Sequence, residues 1–223
     1  MNQVRCENVF FDLDGTLVDS LAGIEFSVAQ ALVECGYAAR ALNLRPLIGP
    51  PIRSILRTVS GETEDARLDA LERAFRVSYD SSGWEKTVLY GGAKEALNEL
   101  RNSGARLFLV TNKPRLPAER VLGRLGLRAA FTDWVSPDSA SPVFASKAEM
   151  VRFVMRRHGL NAEYSLLVGD SIEDCEAGAE AGIPVIVVTH GYGDLSARKS
   201  TRSAARIRRL EELISVLDDI GAI

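Results

Sequence analysis

Two histidines and three cysteines are all that this chain of 223 residues offers as soft metal ligands. His158 and His190 are too few for a histidine-rich metal centre, and neither is expected to do chemistry. Cys6, Cys35 and Cys175 are odd in number, widely spaced and without a Cys-x-x-Cys pair. That pattern argues against a disulfide framework or a thiolate zinc site and suits a reducing, cytoplasmic setting. No run approaches the roughly 18 apolar residues that a membrane span requires. The first residues, Met1 to Glu7, lead into a strand without a signal-peptide pattern. A strong charge of one sign is missing as well: the formal net charge is −3, so neither nucleic acid nor a membrane surface is an expected partner. Internal repeats and low-complexity segments are also lacking.

What the chain does have is ordinary in bulk and unusual in arrangement. Hydrophobic residues make up 46% and charged residues 26%, which fits a well-cored protein with room for one large domain or a medium and a small one. Short apolar runs at 8–13, 106–111, 131–135, 165–169 and 185–189 read as strands. Helical stripes stand between or after them, at Ala93, Ala96, Leu97 and Leu100, at Met150, Val151, Val154 and Met155, and at Leu210, Leu213, Ile214 and Leu217. Strands alternating with helices predict an α/β, Rossmann-like parallel sheet covered by helices on both faces.

The stretch 18–87 breaks the alternation and offers no strand. Leu21, Ile24, Val28 and Leu32 keep helical spacing, as do Ile52, Ile55, Leu56 and Val59, and then Leu68, Leu71 and Phe75. This block reads as a helical cap domain inserted into a core made of 1–17 and 88–223. Asp19 and Ser20 are placed to cap its first helix. Between Arg198 and Arg209 stand six basic residues (Arg198, Lys199, Arg202, Arg206, Arg208 and Arg209) and no acid, read as a solvated loop and an exposed strand.

Chemistry concentrates where strands end. The run Val9-Phe10-Phe11-Asp12-Leu13-Asp14-Gly15-Thr16 closes an apolar strand with two carboxylates one residue apart. A turn at Gly15 lets both reach the carboxyl end of the sheet, where open α/β sheets bind ligands. Two acids there suit a hard cation such as Mg²⁺ and suit a nucleophile paired with an acid/base. A second strand delivers Thr111-Asn112-Lys113, a hydroxyl and backbone N–H groups able to hold an anion. A third delivers Gly169-Asp170-Ser171-Ile172-Glu173-Asp174, and Lys147 opens a helix over 148–158 as a point charge for a phosphoryl oxygen. Cys175 reads as a small buried residue, and Trp84 and Trp134 as core or hinge packing.

In chain order these pieces resemble the haloacid dehalogenase superfamily, in particular its phosphatases of the phosphoglycolate phosphatase type, over essentially the whole chain. The resemblance rests on Asp12-Leu13-Asp14-Gly15-Thr16, on Thr111 within Val110-Thr111-Asn112-Lys113, and on Gly169 to Asp174. Tyr90-Gly91-Gly92-Ala93, the run Ala177 to Pro184, and Gly191-Tyr192-Gly193 add to it. One departure stands out: these phosphatases often carry a Lys-Pro pair as a third motif, and this chain has none in that region. Lys113-Pro114 follows the second motif directly, so Lys147 takes the third position.

The resemblance implies a Mg²⁺-dependent phosphomonoesterase acting on a small phosphorylated metabolite, with 2-phosphoglycolate the family's default. Asp12 is the implied nucleophile and Asp14 the acid/base. Thr111, the Asn112 N–H and Lys147 are the implied phosphate contacts. The resemblance implies that Mg²⁺ is held by Asp12, the Asp14 carbonyl and Asp170, with Asp174 counted in the metal site as a support for the loop or for a metal-bound water. Thr16 is expected to orient the Asp14 loop. Gly49 and Arg53, at a rigid turn before a cap helix, are the candidates for substrate specificity. A 5′-nucleotidase, a mutase of the β-phosphoglucomutase type and a non-catalytic binding protein on the same scaffold are the competing readings, and the oligomeric state is unreadable.

Overall fold

A computed structural model of the protein describes residues 6–38, 42–193 and 203–219. Its first strand, β1 (Asn8–Phe11), is wholly buried, as an unbroken apolar run predicts for the middle of a parallel sheet. Next come a short strand β2 (Val18–Asp19), the helices α1 (Leu21–Glu34), α2 (Ile52–Ser60) and α3 (Asp65–Ser81), and a short strand β3 (Val88–Leu89) that pairs with β2. The chain then alternates: α4 (Ala93–Asn102), β4 (Arg106–Val110), α5 (Arg115–Arg124), β5 (Asp133–Val135), α6 (Lys147–His158), β6 (Ser165–Gly169), α7 (Ile172–Ala181) and β7 (Val185–Val188). An edge strand β8 (Ala205–Ile207) and α8 (Leu213–Asp219) follow. None of the described helices is long and apolar enough to cross a membrane.

The main sheet runs β5-β4-β1-β6-β7-β8, and every pair is parallel. After β1 the chain builds outward to β4 and β5, then returns to the other side of β1 for β6. That reversal places the topological switch point at the carboxyl ends of β1, β4 and β6, where a crevice for ligands opens in folds of this Rossmann-like kind. Phe10, Phe108, Val110, Leu167, Val185 and Val187 share a core with α6 and α7, and α4 lies against β4 and α8. Cys175 belongs to that core, where burial raises its thiol pKa, and it serves as a small apolar residue. Trp134 is buried with the Arg115 guanidinium over its ring.

Several boundaries differ from the sequence reading: the strands read at 106–111 and 185–189 each end one residue earlier, and the stretch 18–87, read as offering no strand, opens with the two-residue β2. β1 stops at Phe11 because Gly15, with φ of 89°, turns the chain; the Asp12 N–H nevertheless bonds the Val168 carbonyl. β5 starts at Asp133 because Arg128–Ala130 forms a 3-10 turn just before it. In the basic stretch, Arg206 lies on β8, and Arg208 and Arg209 are exposed beyond it. Arg198, Lys199 and Arg202 lie outside the described residues.

By its internal contacts the chain separates into two compact units, one of them Asp19–Val88. The helical unit has an apolar core of its own from α1, α2 and α3, including Val28, Leu32, Leu56, Leu68, Leu71 and Phe75, with Trp84 packed against it. The Asp19 carboxylate accepts from the Leu21 N–H at 3.0 Å, whereas the Ser20 side chain, at the cap position itself, makes no capping bond.

Candidate active site

The site grows from three strand ends of the α/β unit. Asp12, directly after β1, is buried, and its Oδ1 takes a hydrogen bond from Lys147 Nζ at 2.8 Å. The same ammonium donates to Asp174 Oδ1 at 2.7 Å. Lys147 stands at the first position of α6, just behind the Ser146 cap, and its side chain is 5% exposed. A lysine is buried this deeply only with counter-charges around it. Burial alone would lower the Lys147 pKa; Asp12 and Asp174 overcome this and hold it above the ordinary lysine range. Burial pushes the Asp12 carboxyl well above its usual range, with repulsion from Asp174 and Asp170 adding to it and Lys147 opposing it.

Asp170 follows β6 and is held at both oxygens. Its Oδ2 accepts from the N–H groups of Tyr192 at 2.7 Å and Gly193 at 3.2 Å, and its Oδ1 accepts from the Thr16 hydroxyl at 3.1 Å. The fit is tight. A Cβ on Gly15 would come within 2.3 Å of the Asp170 carboxylate, and one on Gly191 within 2.2 Å. Burial, reinforced by Asp174, pushes Asp170 up to about 6 against the pull of those N–H groups and of Lys147. Thr16, in the loop that carries Asp14, thus ties that loop to Asp170. Its hydroxyl is 3.1 Å from Asp170 and 3.5 Å from Asp12.

Asp174 sits in the first turn of α7, and its Oδ2 accepts from the Asp170 and Ser171 N–H groups and from the Ser171 hydroxyl. Together with Lys147 on Oδ1, these bonds occupy the carboxylate, which makes it a brace for the loop. Donor oxygens of Asp12, Asp170 and Asp174 lie within 4.8 Å of one another, an all-oxygen set of the kind a hard divalent cation takes.

Thr111 follows β4, is buried, and accepts at Oγ1 from the Lys113 N–H at 3.1 Å. With that acceptor role filled, the Thr111 hydroxyl keeps its own proton to donate. The Asn112 side chain bonds Glu173 on α7, tying the second strand end to the third. Burial raises the Glu173 pKa. Lys113 is the residue that sequence reasoning set aside, and it is in the site. Its side chain is 6% exposed, and Nζ lies 3.0 and 3.1 Å from the two Asp14 oxygens. Four carboxylates (Asp12, Asp14, Asp170, Asp174) thus face two ammonium groups, which leaves two formal negative charges, the balance one divalent cation would fill.

Gly49 and Arg53 belong to the helical unit. Gly49, with φ of 131°, has open space where a side chain would be. Arg53 is engaged within its own unit: its guanidinium pairs with Asp65 and Asp69 and reaches Glu72 at 3.4 Å. His190 is structural, with Nε2 3.1 Å from the Thr16 carbonyl and its ring against Tyr90.

Comparison with known proteins agrees with this geometry. The family model of haloacid dehalogenase-like hydrolases matches residues 9–188. A phosphoglycolate phosphatase from Vibrio parahaemolyticus is 31% identical over 228 residues, covering 97% of this chain and 99% of its own. The tyrosine-protein kinase PtkA of Mycobacterium tuberculosis is also 31% identical, over 94% of this chain and 72% of its own. Among solved structures, a haloacid dehalogenase-like hydrolase from Streptococcus pneumoniae superposes with a TM-score of 0.84 at 24% identity, covering 93% of this chain and 96% of its own, a likeness of fold.

Proposed function

Because the chain belongs to the haloacid dehalogenase-like hydrolases and is a phosphatase of that family, we propose that it hydrolyses a small phosphorylated metabolite, of the 2-phosphoglycolate kind, through an aspartyl phosphate on Asp12. The observation that carries this reading is the pairing of two carboxylates at one strand end with two buried ammonium groups, Lys147 on Asp12 and Lys113 on Asp14. In the first half-reaction an Asp12 oxygen attacks phosphorus, the ester P–O bond breaks, and Asp14 gives its proton to the leaving alkoxide. In the second, Asp14 takes a proton from water as that water attacks phosphorus, and the bond to Asp12 breaks to release inorganic phosphate. The Thr111 hydroxyl and Lys147 stabilise charge on the phosphoryl oxygens, and the Asn112 N–H lies on the same turn.

Asp12, the Asp14 carbonyl and Asp170 are the residues to hold Mg²⁺, with Asp174 bracing Asp170. The packing of Gly15 and Gly191 against Asp170 and the all-oxygen donor set support the fit. Bound there, the ion supplies charge neutralisation between an anionic nucleophile and an anionic phosphate.

The helical unit enters the sequence directly behind the Asp14 loop, which suits a role as a cap that chooses among leaving groups. Arg53 is not part of this proposal, since three carboxylates of its own unit already answer its charge.

The test is hydrolysis of p-nitrophenyl phosphate and a panel of phosphorylated metabolites, with and without Mg²⁺, alongside Asp12→Asn. The amide is a poor nucleophile, so kcat should fall at least about 100-fold with the fold intact by circular dichroism. Retention of more than that fraction sinks the role of Asp12. A panel including ATP and a tyrosine peptide also checks for transfer to protein, in view of the relative named as a kinase.

A further inference from the structure

We propose that Lys113 is a positioning residue for Asp14, fixing the carboxyl group that moves the proton; the inference rests on the acid/base role given to Asp14 above. Asp14 stands beyond the end of the strand, before Gly15, in a loop where its side chain is 18% exposed. The torsion about the bond to a carboxylate is broad and roughly two-fold, so the chain itself does little to aim the group. Lys113 supplies the aim. Its ammonium straddles both oxygens at 3.0 and 3.1 Å, which anchors the end of the side chain, and no other hydrogen bond reaches that carboxylate among the described residues.

The lysine is itself held. Pro114 follows it, which restricts the Lys113 backbone to extended conformations, and the Lys113 N–H is bonded to Thr111 Oγ1 at 3.1 Å. Burial of the side chain to 6% exposure removes most of its freedom to wander. A single turn after β4 therefore sets both the hydroxyl offered to the phosphate and the direction of the acid/base.

The experiment is a double-mutant cycle of Lys113→Met and Asp14→Asn, read with an alkyl phosphate monoester and with p-nitrophenyl phosphate, whose leaving group needs no proton. Lys113→Met should lower kcat/KM on the alkyl ester at least about 30-fold and on the aryl ester much less, because kcat/KM reports the step in which the leaving group takes its proton, whereas the later attack of water is common to both esters. The inhibition constant for inorganic phosphate should stay within about threefold, and in the Asp14→Asn background Lys113→Met should cost less than about threefold, since the two act as one unit. Lys113→Arg should restore part of the loss, and it carries the same leaving-group comparison if Lys113→Met folds poorly. Equal losses of kcat/KM on both esters, with weakened phosphate inhibition or a full loss persisting in the Asp14→Asn background, would overturn the proposal and make Lys113 a phosphate ligand. An Asp14→Asn single variant with wild-type kcat on the alkyl ester would instead remove the reading of Asp14 itself, without reference to any Lys113 variant.

Discussion

The two units solve the problem of charge in opposite ways. In the α/β unit Asp12, Asp170, Asp174, Lys113 and Lys147 are all buried, clustered at the strand ends. In the helical unit the core is apolar and the ion pairs lie toward the outside: Arg53 with Asp65 and Asp69, Arg67 with Glu62, and Arg76 with Glu72. Exposed pairs of that kind contribute little to stability and are screened by salt. Buried ones are costly to assemble and still costlier to break, because the surviving partner is left charged without water. Such arrangements cluster where charges do chemistry, so the contrast supports the reaction proposed for the α/β unit.

The contrast is tested most severely at Lys147. Lys147→Met removes the ammonium shared by Asp12 and Asp174 and leaves two buried carboxylates facing each other. Unfolding in urea should show a loss of about 3 kcal/mol, with phosphatase activity nearly abolished. Adding Asp12→Asn to that variant should return part of the stability while activity stays lost. Equal stability of Lys147→Met and wild type would mean that the buried charges are not held by one another.

A smaller effect is expected where the site is shaped by the absence of a side chain. Gly191→Ala places a methyl group within 2.2 Å of the Asp170 carboxylate, so the loop that donates the Tyr192 and Gly193 N–H groups must shift. Outer partners of metal ligands commonly change affinity by about tenfold or more. Calorimetry should show Mg²⁺ binding weakened by about that factor, with the helical unit's circular dichroism unchanged. Unaltered binding would reduce the glycine to a packing detail.

Much of this arrangement was legible in the sequence, and the parts that were not share a cause. β1, β4, β6 and β7 announce themselves as apolar runs, and the polar residues that end them, Asp12, Thr111 and Asp170, follow from position alone. The order of the strands depends on pairings between distant segments, which periodicity does not record. Side chains with long reach were the hardest to place. The Lys113-Pro114 pair follows the second motif directly and so stands in the wrong place for the third, yet four methylenes carry the Lys113 charge to Asp14. Arg53 was read as turned toward a substrate; its partners Asp65, Asp69 and Glu72 come from α3 or its start and could not be foreseen from α2. The Gly191-Tyr192-Gly193 pattern was visible, but its reason, two N–H groups and a missing Cβ against Asp170, is a fact of three dimensions.

The gentlest test lies in the helical unit, at Glu62. Its carboxylate accepts from the Tyr37 hydroxyl at 2.6 Å and from the N–H groups of Thr63 and Glu64, and it pairs with Arg67. The Tyr37 bond first, then the two backbone bonds, pull its pKa from 4.5 down to about 2. A carboxyl whose folded pKa lies below its unfolded value contributes stability above the unfolded pKa and loses it as pH falls toward the folded one. The contribution should therefore be whole above 4.5 and fade as pH falls toward about 2. Glu62→Gln keeps the shape and an acceptor oxygen but not the charge. Its urea midpoint should trail wild type by a modest margin at about pH 6, and the margin should narrow at about pH 3, where the unfolded chain's Glu62 is already protonated while the native carboxylate still resists. Salt should shrink the part owed to Arg67, whose guanidinium is exposed. A margin independent of pH and salt would show that Glu62 acts by shape, and the exposed charges of the helical unit would then be idle as well as peripheral.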